Sequence, residues 1–180
     1  LAFLYYPSPY RFDVIPTKLL GDIYEIFLSK KLIISAEGVF DILKTEYVKS
    51  KGAVSTPQFL VEDIIKRTLI KSELIQRGIS GLLNVSALDI ACGSGVFLIG
   101  LYDYLEELMI EIQSSSPDEA HNSFFTQTEN ELLLNLRGKQ AIIRNCIYGI
   151  DIDPEAVEVA KMSLALKAID NEEYPEASEQ

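Results

Sequence analysis

The 180-residue chain has no tryptophan, a single histidine (His121) and only two cysteines, Cys92 and Cys146. Two cysteines so far apart cannot form a disulfide framework, and with one histidine they make no zinc set, so no metal site is expected. Both are read as reduced core thiols, which fits a cytoplasmic location. No apolar run approaches the roughly 20 residues of a membrane-spanning helix. Leu1-Ala2-Phe3-Leu4 lacks the basic start of a secretory leader, and the absence of an initial Met marks the chain as a piece of something longer. Basic charge is also missing where it matters most, because no Lys or Arg lies between Arg77 and Arg137. Residues 1–77 carry 11 Lys/Arg against 9 Asp/Glu, whereas residues 78–180 carry 5 against 18. A surface of that sign repels a phosphate backbone, so any nucleic-acid partner has to be held mainly by residues outside this chain.

What is present reads as a folded α/β chain, since 48% of residues are apolar and 24% charged, which excludes disorder. After an aromatic lead-in over residues 1–14, Pro16 and the stripe Leu19, Leu20, Ile23, Ile26, Phe27 predict a helix to about Ser29. The Ile-, Val- and Phe-rich stretch from Lys31 to Tyr47, broken at Glu37-Gly38, predicts two strands or a hairpin. Residues 1–50 thus form an N-terminal segment, Lys49 to Gly52 a linker, and residues 51–180 a second unit. There Thr56 is placed as N-cap and Pro57 as first helical residue, with Phe59, Leu60, Ile64, Ile65 and Leu69 on the inner face until Gly78 and Gly81 end the segment.

A strand from Val85 to Ala91 then runs into Cys92-Gly93-Ser94-Gly95, and Phe97, Leu101, Tyr104, Leu105, Leu108 and Ile112 recur at helical spacing. The polar stretch 113–131 opens an insertion reaching about residue 138, mobile in part, with a short helix over Leu132 to Leu136. Ile142 to Ile152 is strand-like, Asp153-Pro154 caps a last helix with Val157, Ala160, Leu164 and Ile169 inward, and Asn171 to Gln180 is a frayed acidic tail. Strand, glycine turn, helix, strand, helix is the first half of an open parallel sheet.

The glycine turn carries the chemistry. Gly93 and Gly95 let the backbone turn sharply and leave no Cβ over it, while the helix starting near Ser94 aims free N–H groups at whatever lies there. Asp89 at the strand end suits a ligand with an ammonium group and repels a pyrophosphate, which favours S-adenosylmethionine over a dinucleotide. The third glycine of a dinucleotide fingerprint is missing, and no Gly-Lys-Ser/Thr of a P-loop follows. A plain tight turn between strand and helix is the competing reading. Asp151, at the end of the next strand, is the candidate acceptor for ribose hydroxyls, with Ile152 as an apolar neighbour for the adenine. It lies 62 residues beyond Asp89 rather than about 20, and the insertion supplies the excess. Asp153, before Pro154, reads better as a helix cap.

Four collinear blocks give the chain a resemblance to adenine-N6 DNA methyltransferases of restriction–modification systems, the type IIG and type I-like methylase group. They are Leu19-Leu20-Gly21-Asp22-Ile23-Tyr24-Glu25-Ile26-Phe27-Leu28, Ser55-Thr56-Pro57-Gln58-Phe59-Leu60-Val61, Asp89 to Leu98, and Tyr148 to Val157. The resemblance implies a fold in which the chain is the first half of a class I, Rossmann-like S-adenosylmethionine-dependent methyltransferase sheet. It also implies that Thr56 and Pro57 reach the methionine carboxylate, and that Asp89 with the backbone of Ala91, Cys92, Gly93, Ser94 and Gly95 holds the methionine moiety. Asp151 then takes the ribose hydroxyls and Ile152 packs on the adenine. Thr56 keeps its alternative role as a helix cap.

The chain departs from that family at Ile90, where proline is usual, and at Val54-Ser55, where an aromatic pair mostly precedes Thr-Pro. The family's catalytic Asn/Asp-Pro-Pro-Tyr/Phe occurs nowhere in the sequence. The methyl acceptor in the family is an adenine extruded from the duplex. The resemblance therefore implies a cofactor-binding fragment, inactive alone, meeting double-stranded DNA through regions missing from this chain and prone to self-association along its truncated sheet. The alternatives are a methyltransferase acting on RNA or protein, and a non-catalytic S-adenosylmethionine-binding or interaction module.

Overall fold

The structure is a computed structural model that describes residues 56–169, the backbone of two strands nearer the N-terminus, and the helical positions Leu19 and Ile23, both exposed. The remainder of the first predicted helix, the aromatic lead-in, the linker and the acidic tail lie outside the described residues. The two strands, β1 (Lys30–Ile34) and β2 (Phe40–Lys44), pair antiparallel with Ile34 opposite Phe40, the two-strand arrangement predicted there.

Two helices follow, α1 (Gln58–Thr68) and α2 (Lys71–Leu83). Pro57, not Thr56, is the residue at the cap of α1: its backbone is extended, and its carbonyl accepts from the N–H groups of Leu60 and Val61. The cap predicted for Thr56 is therefore not formed, and Pro57 stands just outside the helix. The inner face differs too, since Val61 and Ile65 are buried while Phe59, Leu60 and Ile64 are exposed. Gly100 decides this, because a Cβ there would lie 2.8 Å from Val61 Cγ1 and 3.3 Å from Ile65 Cδ1. Gly78 kinks α2 with φ of 65° rather than ending it, and the helix runs on through Gly81.

Next come β3 (Ala87–Asp89) and the 20-residue α3 (Val96–Ser115). This helix is the hydrophobic post of the molecule, with Leu98, Leu101, Tyr102, Leu105, Leu108, Met109 and Ile112 buried. Burial of a Leu or Ile side chain is worth roughly 1.5–3 kcal/mol, which makes this apolar column the main source of cohesion. Ile79 and Leu82 from α2 and Val61 and Ile65 from α1 join the same core. Ion pairs reinforce the rim, Lys71 with Glu111 at 2.6 Å and Lys167 with Asp103 at 2.8 Å.

The stretch read as an insertion holds regular structure. A 3₁₀ turn (Glu119–Phe124) leads into β4 (Phe125–Gln127) and β5 (Leu132–Leu134), an antiparallel pair. Leu132 to Leu136 is thus mostly strand rather than the predicted helix. Buried Gln113 anchors the loop: its amide nitrogen donates to Asn122 Oδ1 at 2.7 Å, and its Oε1 accepts from the Asp118 N–H at 3.1 Å. His121 Nδ1 lies 2.7 Å from Asp118 Oδ2, a bond that holds the Asp118 carboxyl below its ordinary range, helped by the Ala120 N–H.

Two more helices close the described chain around β6 (Ile147–Gly149): α4 (Leu136–Cys146) before it and α5 (Pro154–Ile169) after it. The strand predicted from Ile142 is three residues long, because residues 142–146 complete the helix that Asn135 caps. The inward face of α4 carries Ile142, Cys146 and Lys139. Burial pushes the Cys146 thiol up to about 11. It also pushes up the Glu106 carboxyl, against the opposing pull of Lys139 and Tyr102. Strands β3 and β6 run parallel, with Ala87 opposite Ile147 and Asp89 opposite Gly149, and α3 in the connection between them.

Candidate functional site

The parallel pair brings the glycine turn and the second acidic block together. Past the strand ends the ladder continues: the Ile150 N–H donates to the Asp89 carbonyl at 2.8 Å, and the Cys92 N–H to the Ile150 carbonyl at 3.0 Å. Asp151 then faces the turn directly, its Oδ2 accepting from the Gly93 N–H at 2.8 Å and its Oδ1 from the Asp153 N–H at 2.9 Å. Asp89 Oδ1 accepts from the Ala91 N–H at 3.0 Å. Two carboxylates thus flank one glycine turn, each oriented by a backbone amide of the loop it serves. A carboxylate offers about four acceptor positions, so both retain capacity for a donor from outside.

The two glycines do different work. Gly93 has φ of 53° and open space where a Cβ would stand, so the turn leaves room for a ligand above it. Gly95, with φ of 92°, packs against α5: a Cβ there would meet Ala160 Cβ at 2.9 Å and Ala160 Cα at 3.2 Å. No side chain caps the start of α3, which leaves the N–H groups of its first turn available at the same place. Ser94 and Cys92 are buried, and Ile152 is 90% exposed beside Asp151. Burial, reinforced by the Asp151 and then the Asp89 carboxylate, pushes the Cys92 thiol up.

Of the predicted residues, Asp89, Ala91, Cys92, Gly93, Ser94, Gly95, Asp151 and Ile152 share this end of the parallel pair. Thr56 and Pro57 do not join it by hydrogen bonds among the described residues; their link runs through α1, which packs on α3. Asp153 is the helix cap expected of it, its Oδ1 accepting from the Glu155 N–H at 3.0 Å. Two supporting positions were not foreseen. Gly149 lets β6 approach the turn, since a Cβ there would lie 2.7 Å from Leu98 Cδ1 and 3.0 Å from Cys92 Sγ. A glycine inside a strand pattern is the signal that could have marked it. Ala160 seats Gly95, and no local pattern announces that contact. Among the described residues no group of three or more His, Cys, Asp or Glu side chains could hold a metal ion, and no helix is long and apolar enough to cross a membrane.

The sequence is 34% identical over 170 residues to the Escherichia coli protein named type II restriction enzyme and methyltransferase RM.Eco57I. The match takes in 94% of this chain and 17% of that relative, so the chain spans about a sixth of the relative's length. The family model described as the MmeI DNA-methyltransferase domain matches residues 66–179, which hold both the glycine turn and the Asp151 block. The chain belongs to the MmeI-type DNA-methyltransferase domain family of restriction–modification enzymes.

Proposed function

We propose that the chain is the S-adenosylmethionine-binding part of an adenine-N6 DNA methyltransferase, with a class I, Rossmann-like sheet begun by β3 and β6. The observation that carries the reading is the bond from the Gly93 N–H to Asp151 Oδ2, which joins two blocks 58 residues apart into one site. The residues fit the cofactor: open space above Gly93, an acid on each side of the turn, and an exposed Ile152 next to the second acid.

When bound, S-adenosylmethionine supplies the methyl group. Asp89 and the turn from Ala91 to Gly95 hold the methionine part, the carboxylate attracting the ammonium group. Asp151 accepts from the ribose hydroxyls while its bonds to Gly93 and Asp153 keep it in place, and Ile152 covers the adenine. Thr56 and Pro57 close the methionine end, positioned by α1. In this reading the target adenine and double-stranded DNA are held by polypeptide outside these 180 residues, which the acidic balance of residues 78–180 and the lack of an Asn/Asp-Pro-Pro-Tyr/Phe block in this sequence support. The chain alone is accordingly inactive as a methyltransferase.

Calorimetric titration with S-adenosylmethionine tests this. Asp151→Ala removes hydrogen bonds to a charged acceptor, worth about 1.5–3 kcal/mol, so Kd is expected to rise about 10- to 100-fold. Asp151→Asn, which keeps an oxygen for the Gly93 N–H, separates loss of ligand contacts from loss of the turn. An unchanged Kd in a folded Asp151→Ala protein overturns the ribose assignment.

A further inference from the structure

Away from the glycine turn, a serine, a histidine and a carboxylate stand in line across two elements. Ser80 lies on α2, while Asp118 caps the 3₁₀ turn that carries His121. His121 Nδ1 is 2.7 Å from Asp118 Oδ2, and its Nε2 is 3.4 Å from Ser80 Oγ. An ionised carboxylate can only accept, so the Nδ1 proton points at Asp118 and Nε2 turns its lone pair to the Ser80 hydroxyl. The bond to Asp118 thus selects the tautomer that can take a proton from Ser80.

Each member is held in that role. Asp118 Oδ1 accepts from the Ala120 N–H at 3.0 Å, which leaves Oδ2 to the imidazole. Buried Gln113 grips the Asp118 backbone twice, at its N–H at 3.1 Å and at its carbonyl at 3.4 Å. The Phe124 ring lies beside His121, with centroids 5.6 Å apart. Other helical hydroxyls spend their proton on the carbonyl four residues back, Thr68 on Ile64 at 2.7 Å and Ser114 on Ile110 at 2.8 Å. Ser80 does not, because the ψ of −171° at Gly78 takes the turn before it out of helical geometry. Ser80 is exposed, and Gly78 beside it has open space where a Cβ would stand, so a small molecule can reach Oγ.

We infer that Ser80 is an acylatable nucleophile, a covalent site for the acyl group of small activated esters, with His121 as its base and Asp118 as a positioning residue. The bond from Ser80 Oγ to the carbonyl carbon forms as the bond to the leaving aryloxide breaks. The hydroxyl proton passes to His121 Nε2 and from there to the leaving oxygen. A separation of 3.4 Å suits a nucleophile and base that tighten only when a substrate is present. None of the three residues belongs to the cofactor site, so the inference stands or falls apart from the function proposed above.

The 180-residue chain treated with p-nitrophenyl acetate tests it, the acetyl group being located by peptide mass spectrometry. Exposed Ser86 serves as the internal standard. Ser80 is expected to acetylate about 100-fold faster than Ser86, the lower end of what a positioned general base supplies. That advantage should vanish in His121→Gln, and imidazole added to His121→Ala should restore part of it. Asp118→Asn should slow the reaction and Asp118→Glu recover part of the rate. Circular dichroism selects the folded variants, and the Ser80 to Ser86 ratio in the unaltered chain decides the matter should none fold. A Ser80 no faster than Ser86 overturns the inference and leaves the three residues as a pin between α2 and the insertion. So does a Ser80 rate unchanged in folded His121→Gln.

Discussion

Gly95 has to be glycine for two separate reasons. Its φ of 92° is strained for any side chain, and the Cβ of an alanine would press on both Cβ and Cα of Ala160. Gly95→Ala should therefore destabilise the chain by about 2–4 kcal/mol in urea unfolding, within the range of strained, overpacked positions. Adding Ala160→Gly should recover the packing share of that loss and leave the backbone share. Gly93 differs, being an ordinary left-handed position with open space around it. A side chain there meets no neighbour, so its replacement costs backbone strain alone and lacks the packing share expected at Gly95. Two glycines in one short block thus divide the labour, one opening the site and the other fastening it to α5.

At the scale of elements, the insertion is held by Asn135. Its Oδ1 accepts from the Arg137 and Gly138 N–H groups at the start of α4, and its Nδ2 donates to the Ser123 and Phe125 carbonyls at 3.1 and 3.3 Å. Asn135→Ala should cost about 2–3 kcal/mol, combining a helix cap with bonds that fix the β4–β5 hairpin. Asn135→Asp keeps the cap and loses the donors, so the difference between the two urea midpoints measures the hairpin's share.

This helix start also shows where sequence reading stops. A cap such as Asp153 before Pro154, or a glycine turn, states a local backbone requirement in residue types, and both were legible. The inward face of α1 was not, because Phe59, Leu60 and Ile64 look as suited to a core as Val61 and Ile65. Only the notch at Gly100 selects between them. Ile142 and Ile143 carry strand propensity, yet the Asn135 cap and packing on α3 keep them helical. Leu132 to Leu134 is too short for periodicity to separate strand from helix. The site's two acids were legible one at a time; that Asp151 bonds to Gly93 is a product of strand pairing across the insertion.

For the whole molecule, charge sets the expectation. With a net charge of −11 and no base between Arg77 and Arg137, the chain has little with which to displace counterions from a duplex. The anisotropy of a fluorescently labelled DNA duplex should stay flat as the 180-residue chain is added at about 0.1 M salt, where charges are screened beyond roughly 10 Å. Salt-sensitive binding in that titration would place the DNA-holding surface within these residues, contrary to the proposal. The site itself has a timetable. Its two halves are 58 residues apart, and chains are synthesised at about 5–20 residues per second. The glycine turn therefore leaves the ribosome roughly 3–12 seconds before the carboxylate that braces it. During that interval the nascent protein carries the glycine turn without the carboxylate that accepts from its Gly93 N–H.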